Sequence, residues 1–387
     1  MKKILIVNNN LHIGGVQKAL VSLLWSVREH YDVTLLLFYE GGQCLQDLPP
    51  EIKVIQPKSA YRYLGMTKYD TLSLWKKMGR CFFAGVTRIF GRNFAIRLMA
   101  LGQRQLKGYD VAISYLHNGA DKAFYGGCND FVLNHVAAQK KIAFLHCDYV
   151  GCGADTRQNA RQYARFDTVA ACSQGCADSF AQALPELADR VMVVPNCHRF
   201  DHIVRQAEAA PVTVSEKLNI VTVARLGKEK GVERAVRAIS HMGAAGEKLH
   251  YYIIGDGIQK TLLQQIIKEE KLEDRVTLCG MLKNPYGYIR QADLLLIPSY
   301  SEAAPLVIGE AACLGTPVLS TQTSSAEEMI SKNGLGWVCP NSENALQTAL
   351  EALVAEPGMI ADKKEKLANA IQNNDKAMAQ FARMIDS

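Results

Sequence analysis

The sequence predicts an α/β protein built from two doubly wound, Rossmann-like domains. The length of 387 residues allows two domains at about 150 residues each. The composition, 48% hydrophobic and 21% charged, is that of an ordinary globular protein and excludes a disordered, collagen-like or coiled-coil chain. Short apolar runs alternate with segments of helical spacing, which is typical of parallel sheets with crossover helices. No apolar run approaches the roughly 18 residues that span a bilayer.

The first series of strands and helices covers the N-terminal half. Residues 3–8 are apolar and are followed by asparagines, which indicates a buried first strand and not a signal peptide. Apolar residues at helical spacing follow at 16–27. Further strands are predicted at 32–39, 110–116, 141–146, 168–173 and 190–196. A polar, alanine-rich stretch at 205–217 indicates the domain boundary.

A second series follows this stretch. Strands are predicted at 219–225, 250–256, 275–280, 294–299, 316–321 and 336–339, with a helix at 259–270 and helices in the tail. The expected domains are 1–205 and 206–370, with a last helix at 371–387 that packs back on the first domain. In open α/β sheets ligands bind outside the carboxyl ends of the strands, so polar residues there are candidate site residues.

The cysteine pattern and the lack of a D-x-D motif bear on whether the protein binds a metal. Eleven cysteines, an odd number that includes several in apolar runs, predict reduced, buried thiols in a cytosolic protein. No C-x-x-C pair occurs, which argues against a zinc knuckle. No D-x-D occurs either, so no carboxylate pair is evident for a cation that bridges a diphosphate.

The segment 301–318 contains the strongest candidate site. Glu302 is predicted in the turn after a strand, Pro305 suits the first helical position, and Glu310 lies within the helix. A helix N-terminus at a strand's carboxyl end attracts an anion such as phosphate. The two carboxylates could bind sugar or ribose hydroxyls. Alternatively, Glu302 is an ordinary helix-start acid and Glu310 a solvated residue.

Three further segments end predicted strands with chemistry-bearing residues. Arg225 and Lys230 are placed to neutralise a diphosphate, unless they are simply solvated loop charges. Gly14 and Gly15 open the first helix and would allow a ligand close to its backbone amides. His146 ends a strand and could exchange a proton with a substrate or bind its hydroxyl, although a lone histidine is more often structural.

Taken together, the order and spacing of these segments resemble the family 4 glycosyltransferases, which are retaining enzymes of the GT-B fold. The resemblance covers nearly the whole chain. It rests on Gly14 and Gly15, His146, Ser173, Pro195 and Asn196, Arg225, Lys230 and Gly231, Gly255, Asp256 and Gly257, Glu302 and Glu310, and Ala312, Gly315, Pro317 and Val318. Cys197 and Ala224 replace family glycines, and Ala303 and Ala304 replace a Gly-Phe type of pair, which leaves the donor sugar open.

The resemblance implies two domains facing a central cleft and an enzyme that uses a nucleotide-sugar, expected to be a UDP-sugar, without a metal or other cofactor. It implies that Arg225 and Lys230 bind the diphosphate, Glu310 the ribose, and Glu302 and His146 the transferred sugar. The other donor contacts are expected at Gly14, Gly15, Gly255, Ala303, Ala304, Pro305 and Leu306. The expected acceptor is a glycan or a lipid-linked sugar in bacterial-type surface polysaccharide synthesis.

Two other classes of function remain open. One is a UDP-sugar epimerase of the same architecture, and the other is a non-catalytic partner that binds a nucleotide-sugar. Both glutamates and the two cations Arg225 and Lys230 are present, which argues against the second class.

A basic stretch at 58–107 suggests a membrane surface as a partner of a cytoplasmic, peripheral enzyme. Its only acid is Asp70, against eleven basic residues that make a large local excess within a net charge of +6. They are Lys58, Arg62, Lys68, Lys76, Lys77, Arg80, Arg88, Arg92, Arg97, Arg104 and Lys107. Aromatic residues between them predict an amphipathic helix on anionic lipid, or else a solvated basic face. No nucleic-acid-binding motif is present.

Overall fold

The computed structural model describes residues 1–67 and 70–387, which divide into two compact units. The first unit contains Met1–Cys197 together with Asn374–Ser387, and the second contains His198–Asn373. Each unit contains one parallel sheet flanked by helices.

The first unit contains a seven-stranded sheet in the order β3-β2-β1-β4-β5-β6-β7, with every pair parallel. The strands are β1 (Lys3–Asn8), β2 (Asp32–Leu37), β3 (Lys53–Ile55), β4 (Leu106–Ser114), β5 (Val136–Leu145), β6 (Thr168–Ala171) and β7 (Val191–Val193). The strand order reverses at β1, between β2 and β4, and such a switch point opens a ligand crevice at the carboxyl ends.

Helices cover both faces of this sheet. They are α1 (Gly15–Val27), α2 (Arg62–Gly65), α3 (Leu74–Phe90), α4 (Arg92–Met99), α5 (Cys128–His135), α6 (Arg157–Tyr163) and α7 (Gln174–Ala183). Side chains from alternate positions of β1 enter two separate apolar cores. Leu5 and Val7 lie in one core, and Ile4 and Ile6 lie in the other. Because both faces are buried, the strands are nearly continuous apolar runs, which is why they could be recognised in the sequence.

The second unit repeats the plan with a six-stranded parallel sheet in the order β10-β9-β8-β11-β12-β13. Its strands are β8 (Leu218–Val223), β9 (Leu249–Ile254), β10 (Val276–Gly280), β11 (Leu294–Ile297), β12 (Val318–Thr321) and β13 (Gly336–Cys339). Its helices are α8 (Phe200–Ala209), α9 (Val232–His241), α10 (Lys260–Glu269), α11 (Tyr286–Gln291), α12 (Leu306–Cys313), α13 (Glu343–Ala355) and α14 (Pro357–Ala368). The order reverses at β8.

The boundary between the units differs from the expected position at 205. That position lies inside α8, which packs on the second unit: Asn284 Nδ2 donates to the Gln206 carbonyl oxygen over 2.8 Å. A Cβ on Gly287 would lie 2.1 Å from the Ala210 carbonyl oxygen, so the end of α8 lies directly against α11. The chain therefore enters the second unit before α8, at His198.

The last helix, α15 (Asp375–Asp386), belongs to the first unit. Phe381 and Met384 are buried in the core that also contains Ile4 and Ile6. Lys140 Nζ donates to the Met384 carbonyl oxygen over 2.8 Å, and Lys2 Nζ lies 2.8 Å from Asp386 Oδ1. Within residues 1–67 and 70–387 no helix has both the length and the apolar content to cross a membrane.

Candidate functional site

In the second unit, two loops lie in close contact because glycines allow it. Gly255, after β9, has a φ of +150°, and a Cβ there would lie 1.8 Å from the Ala224 carbonyl oxygen of the loop after β8. A Cβ on Gly257 would lie 2.4 Å from the Leu226 carbonyl oxygen. Only glycine fits these positions, so Gly255 acts through loop packing in this structure.

The loop after β8 also packs on the end of β11 through Gly231. Its φ of +57° lies in the left-handed region, and a Cβ there would approach the Pro298 carbonyl oxygen to 2.1 Å. This contact brings Lys230 to the loop after β11. Lys230 Nζ lies 2.7 Å from Glu302 Oε1, so the structure unites two residues 72 positions apart in the sequence.

Glu302 is held on several sides. The Ser299 hydroxyl donates to Glu302 Oε1 over 2.6 Å, and the Ser324 hydroxyl donates to the Glu302 carbonyl oxygen over 2.7 Å. The Glu302 side chain is 11% exposed. It is therefore not an ordinary solvated helix-start acid but a fixed, ion-paired carboxylate.

Arg225 differs from Lys230 in its surroundings. Its guanidinium is 75% exposed and lies 2.6 Å from Glu229 Oε1, four residues on. An exposed pair of this kind adds little stability, so the Arg225 side chain is able to turn toward a bound anion at small cost.

Helix α12 presents its free N-terminus beside this loop. Pro305 is the N-cap and Leu306 the first helical residue, so Pro305 lies one position before the predicted one. No side chain of the described part of the chain caps the helix, and its first turn contains no acid, so its dipole favours an anion there. Ala303 and Ala304 precede it with small side chains.

Glu310, on the same helix, is 5% exposed, so the alternative of a solvated residue is wrong. The Tyr286 hydroxyl of α11 donates to Glu310 Oε1 over 3.2 Å. A carboxylate offers about four lone-pair sites on its two oxygens, so this side chain is of a type that accepts hydroxyl hydrogen bonds.

Arg234 on α9 was missed by the sequence analysis. It is only 2% exposed, and its guanidinium donates to the carbonyl oxygen of Pro298, to Thr321 Oγ1 and to Asn341 Oδ1 over 2.8, 3.1 and 2.7 Å. Arg234 therefore ties together the ends of β11, β12 and β13, next to the loop that carries Glu302. An arginine on an amphipathic helix is usually a surface residue, so the sequence around Arg234 gave no indication that this side chain is buried.

In the first unit, the loop after β1 leads into α1, whose N-cap is Gly14. Within residues 1–67 and 70–387 no side chain caps this helix, and its first turn contains no acid. Apart from its two chain neighbours and the nearby backbone of its own helix, no heavy atom of the described residues lies within 4 Å of the place where a Cβ of Gly15 would be. The N-terminus of α1 is thus approachable, as expected for an anion-binding turn.

His146 directly follows β5 and its ring stacks on Phe144 at a centroid distance of 5.4 Å and an angle of 15°. Burial, together with the nearby His117, lowers the pKa of His146 to about 3. Burial lowers the pKa of His117 to about 4. Both imidazoles are therefore neutral near pH 7, so His146 is suited to hydrogen bonding and not to donating a proton as an imidazolium.

The basic stretch is only partly a surface. Arg92 is 1% exposed and its Nη2 donates to Asn159 Oδ1 over 2.8 Å. The prediction that Arg92 is one of the basic residues facing a membrane was therefore wrong. Arg80 Nε donates to the Met66 carbonyl oxygen, and Phe83 packs on the core. Lys68 lies outside the described residues.

Comparison with known proteins identifies the kind of fold and domain. Residues 205–377 match the family model of group 1 glycosyl transferases. The chain is similar to the amylovoran biosynthesis glycosyltransferase AmsK of Erwinia amylovora, with 33% identity over 33% of each chain. It is also similar to the O-antigen biosynthesis glycosyltransferase WclY of Escherichia coli, with 34% identity over 25% of this chain and 27% of that protein. These alignments span a third or less of either relative.

Solved structures are similar over the full length. The chain resembles Alr3699/HepE of Anabaena in complex with UDP, with a TM-score of 0.68, 17% identity, and coverage of 100% of this chain and 99% of the other. It also resembles WaaG, a glycosyltransferase involved in lipopolysaccharide biosynthesis, with a TM-score of 0.60, 14% identity and coverage of 99% and 100%. These similarities confirm the predicted fold, two Rossmann-like α/β domains of the GT-B kind.

Proposed function

We propose that the protein is a retaining glycosyltransferase of family 4 that transfers a sugar from a UDP-sugar to a glycan or lipid-linked acceptor in surface polysaccharide synthesis. The main support is the Lys230–Glu302 pair, 2.7 Å long and placed within the segment that matches the group 1 glycosyl transferases. The names of AmsK and WclY point to polysaccharide acceptors, and the UDP complex of Alr3699/HepE points to the donor.

The proposed chemistry is electrostatic. The leaving diphosphate gains negative charge as the glycosidic bond breaks, so fixed cations bind the transition state more tightly than the substrate. Lys230, held by its ion pair with Glu302, supplies the fixed cation. The exposed Arg225 supplies a second cation that turns toward the diphosphate, and the N-terminus of α12 assists both. Glu310 accepts from the ribose hydroxyls, Glu302 contacts the sugar near its anomeric carbon, and neutral His146 bonds a sugar hydroxyl.

The proposal includes metal independence, since the sequence contains no D-x-D and the diphosphate has protein cations to bind it. Enzyme treated with EDTA is expected to keep most of its rate. A rate restored only by Mn²⁺ or Mg²⁺ would contradict this part of the proposal.

The function is tested in two steps. A panel of nucleotide sugars is first screened by thermal unfolding, where a ligand at 100 times its Kd adds about 2.7 kcal/mol. The stabilising donor is then incubated with lipid-linked acceptors. Transfer with retained anomeric configuration supports the proposal. Isomerised donor without transfer would identify an epimerase, and UDP-sugar binding without turnover would identify a non-catalytic partner.

We further propose that the enzyme is cytoplasmic and docks on an anionic membrane through α3, α4 and their flanks. Large apolar side chains are exposed there: Leu74, Trp75, Met78, Phe82, Ile89, Phe90, Phe94 and Leu101. Exposed cations lie among them, namely Lys76, Lys77, Arg88 and Arg97. Apolar insertion combined with about 1 kcal/mol of attraction per basic residue suits an anionic surface.

Co-sedimentation with vesicles tests the docking. Binding is expected with anionic vesicles, is expected to weaken as salt rises, and is expected to fall when Lys76, Lys77 and Arg88 become Glu. A triple variant at the exposed cations Lys268, Lys366 and Lys376 is the control, since it changes the net charge equally on other elements. Equal recovery in the supernatant with neutral and anionic vesicles would refute the docking.

A further inference from the structure

A cluster of metal-binding side chains lies in the first unit, apart from the residues assigned to the donor. His117 follows β4, Cys147 follows β5, and Cys152 lies in the turn at 148–153. One ring nitrogen of His117 and the two Sγ atoms all lie within 4.8 Å of one another. Cys147 is buried and Cys152 is exposed, so one side of the cluster faces the protein interior and the other faces solvent.

An independent observation at the same place is an unsatisfied ring. His117 Nδ1 is buried and has no hydrogen-bond partner among the described residues. Buried polar atoms in folded proteins are nearly always paired, so an unpaired nitrogen on the ring that takes part in this cluster calls for an explanation. A metal ion bound through Nδ1 would supply the missing partner.

We propose that His117, Cys147 and Cys152 form a zinc-binding site. Thiolate sulfur and neutral imidazole nitrogen are the ligands that zinc prefers, at about 2.3 and 2.0–2.1 Å. Tetrahedral geometry places two such sulfurs about 3.8 Å apart, so ligand atoms within 4.8 Å need to move by about 1 Å at most. Three protein ligands leave the fourth position to a water molecule.

The binding step is a proton exchange without redox change. Each thiol releases one proton to solvent as its sulfur binds Zn²⁺, and the neutral ring of His117 donates a lone pair. The bound ion ties the turn at 148–153 to the segment after β4.

The sequence alone did not reveal this site. The spacing of Cys147 and Cys152 is C-x₄-C, and the third ligand lies 30 positions earlier, on another strand end. The parallel pairing of β4 with β5 brings these two strand ends together. A rival set of thiols is close by, since Cys172 Sγ lies 3.9 Å from Cys176 Sγ.

The test uses the full-length protein, freed of metal and kept reduced. Zinc chloride is titrated against a chromophoric indicator, and Co²⁺ is added separately to look for thiolate-to-cobalt absorption. We expect one equivalent of zinc and that absorption. Cys152→Ser and His117→Asn are each expected to weaken zinc binding by more than about 100-fold, since even outer-shell changes cost 10–100-fold. Cys81→Ser, at an exposed cysteine on α3, is the matched control and is expected to bind normally.

Several results would overturn the site. Reduced protein that takes up no zinc is one, and normal affinity in both Cys152→Ser and His117→Asn is another. Loss in Cys172→Ser combined with retention in Cys152→Ser would place the ion on the rival thiols. Circular dichroism of the metal-free variants checks folding, and Cys152→Ser, at an exposed position, decides the question if His117→Asn is unfolded.

Discussion

The polar groups of the two units are stabilised in opposite ways. In the second unit, charged groups are partnered: Lys230 pairs with Glu302, and Glu310 accepts from Tyr286. In the first unit, His117 and His146 are held neutral by burial, and each has a ring nitrogen without a described partner. These groups of the second unit are therefore held by partners, whereas burial keeps the two imidazoles of the first unit neutral.

Removing a cation of the second unit is expected to have the largest effect on catalysis. Lys230→Ala and Arg225→Ala should each lower kcat by about 10²–10³-fold, because a fixed group that stabilises developing charge contributes on that scale. The measurement is initial rate at saturating donor. Lys228→Ala is the matched control, since Lys228 is an exposed lysine on the same loop.

Near wild-type rates in both variants at saturating donor would refute the diphosphate assignment. A loss in Lys230→Ala alone would sharpen it. That result would show that the partly buried Lys230–Glu302 pair, and not the exposed Arg225, carries the transition-state charge.

A smaller effect is expected at Glu310. Glu310→Gln removes a charged acceptor for the ribose hydroxyls, and hydrogen bonds to charged groups are worth about 1.5–3 kcal/mol. The donor KM should therefore rise by about 10–100-fold with little change in kcat. Tyr286→Phe is the control, because it removes the neighbour of Glu310 but leaves the carboxylate in place. If Tyr286→Phe raised KM as much as Glu310→Gln, the role of Glu310 would be structural.

Most of the fold was predictable because the strands are buried on both faces. The helix expected at 259–270 is α10, Lys260–Glu269, and the strand expected at 336–339 is β13. β3 was missed because Lys53 is exposed and Val54 and Ile55 are only partly buried, so the three residues make no buried apolar run. The predictions missed the first parts of β4 and β5 because polar residues interrupt the apolar runs there, Lys107 in β4 and Gln139 and Lys140 in β5, although these parts still pair in the sheet.

The candidate site was less predictable, because side-chain contacts between distant residues decide it. The sequence indicated Glu302 and Lys230 separately, whereas their ion pair depends on Gly231 packing against Pro298. Arg234 and Arg92 both looked like surface cations and are both buried. Burial of a cation depends on which tertiary partners surround it, and no local pattern reports those partners.

The smallest expected effect concerns acid stability of the first unit. The pKa values of His117 and His146 fall to about 4 and about 3 on folding, from 6.5. For each histidine, between its folded pKa and 6.5 the unfolded chain binds more protons than the folded one. The free energy of unfolding that this histidine contributes is therefore fully present above pH 6.5 and declines as pH falls. Each histidine contributes a slope of at most about 1.4 kcal/mol per pH unit.

In His117→Asn the decline of the unfolding midpoint between pH 6.5 and 5 should be shallower than in wild type. Midpoints are measured with a chelator present, so that no ion at His117 contributes, and His30→Asn, at an exposed histidine of the same unit, is the control. An unchanged pH slope in His117→Asn would show that this ring is not kept neutral by burial, and the contrast between the two units would then fail.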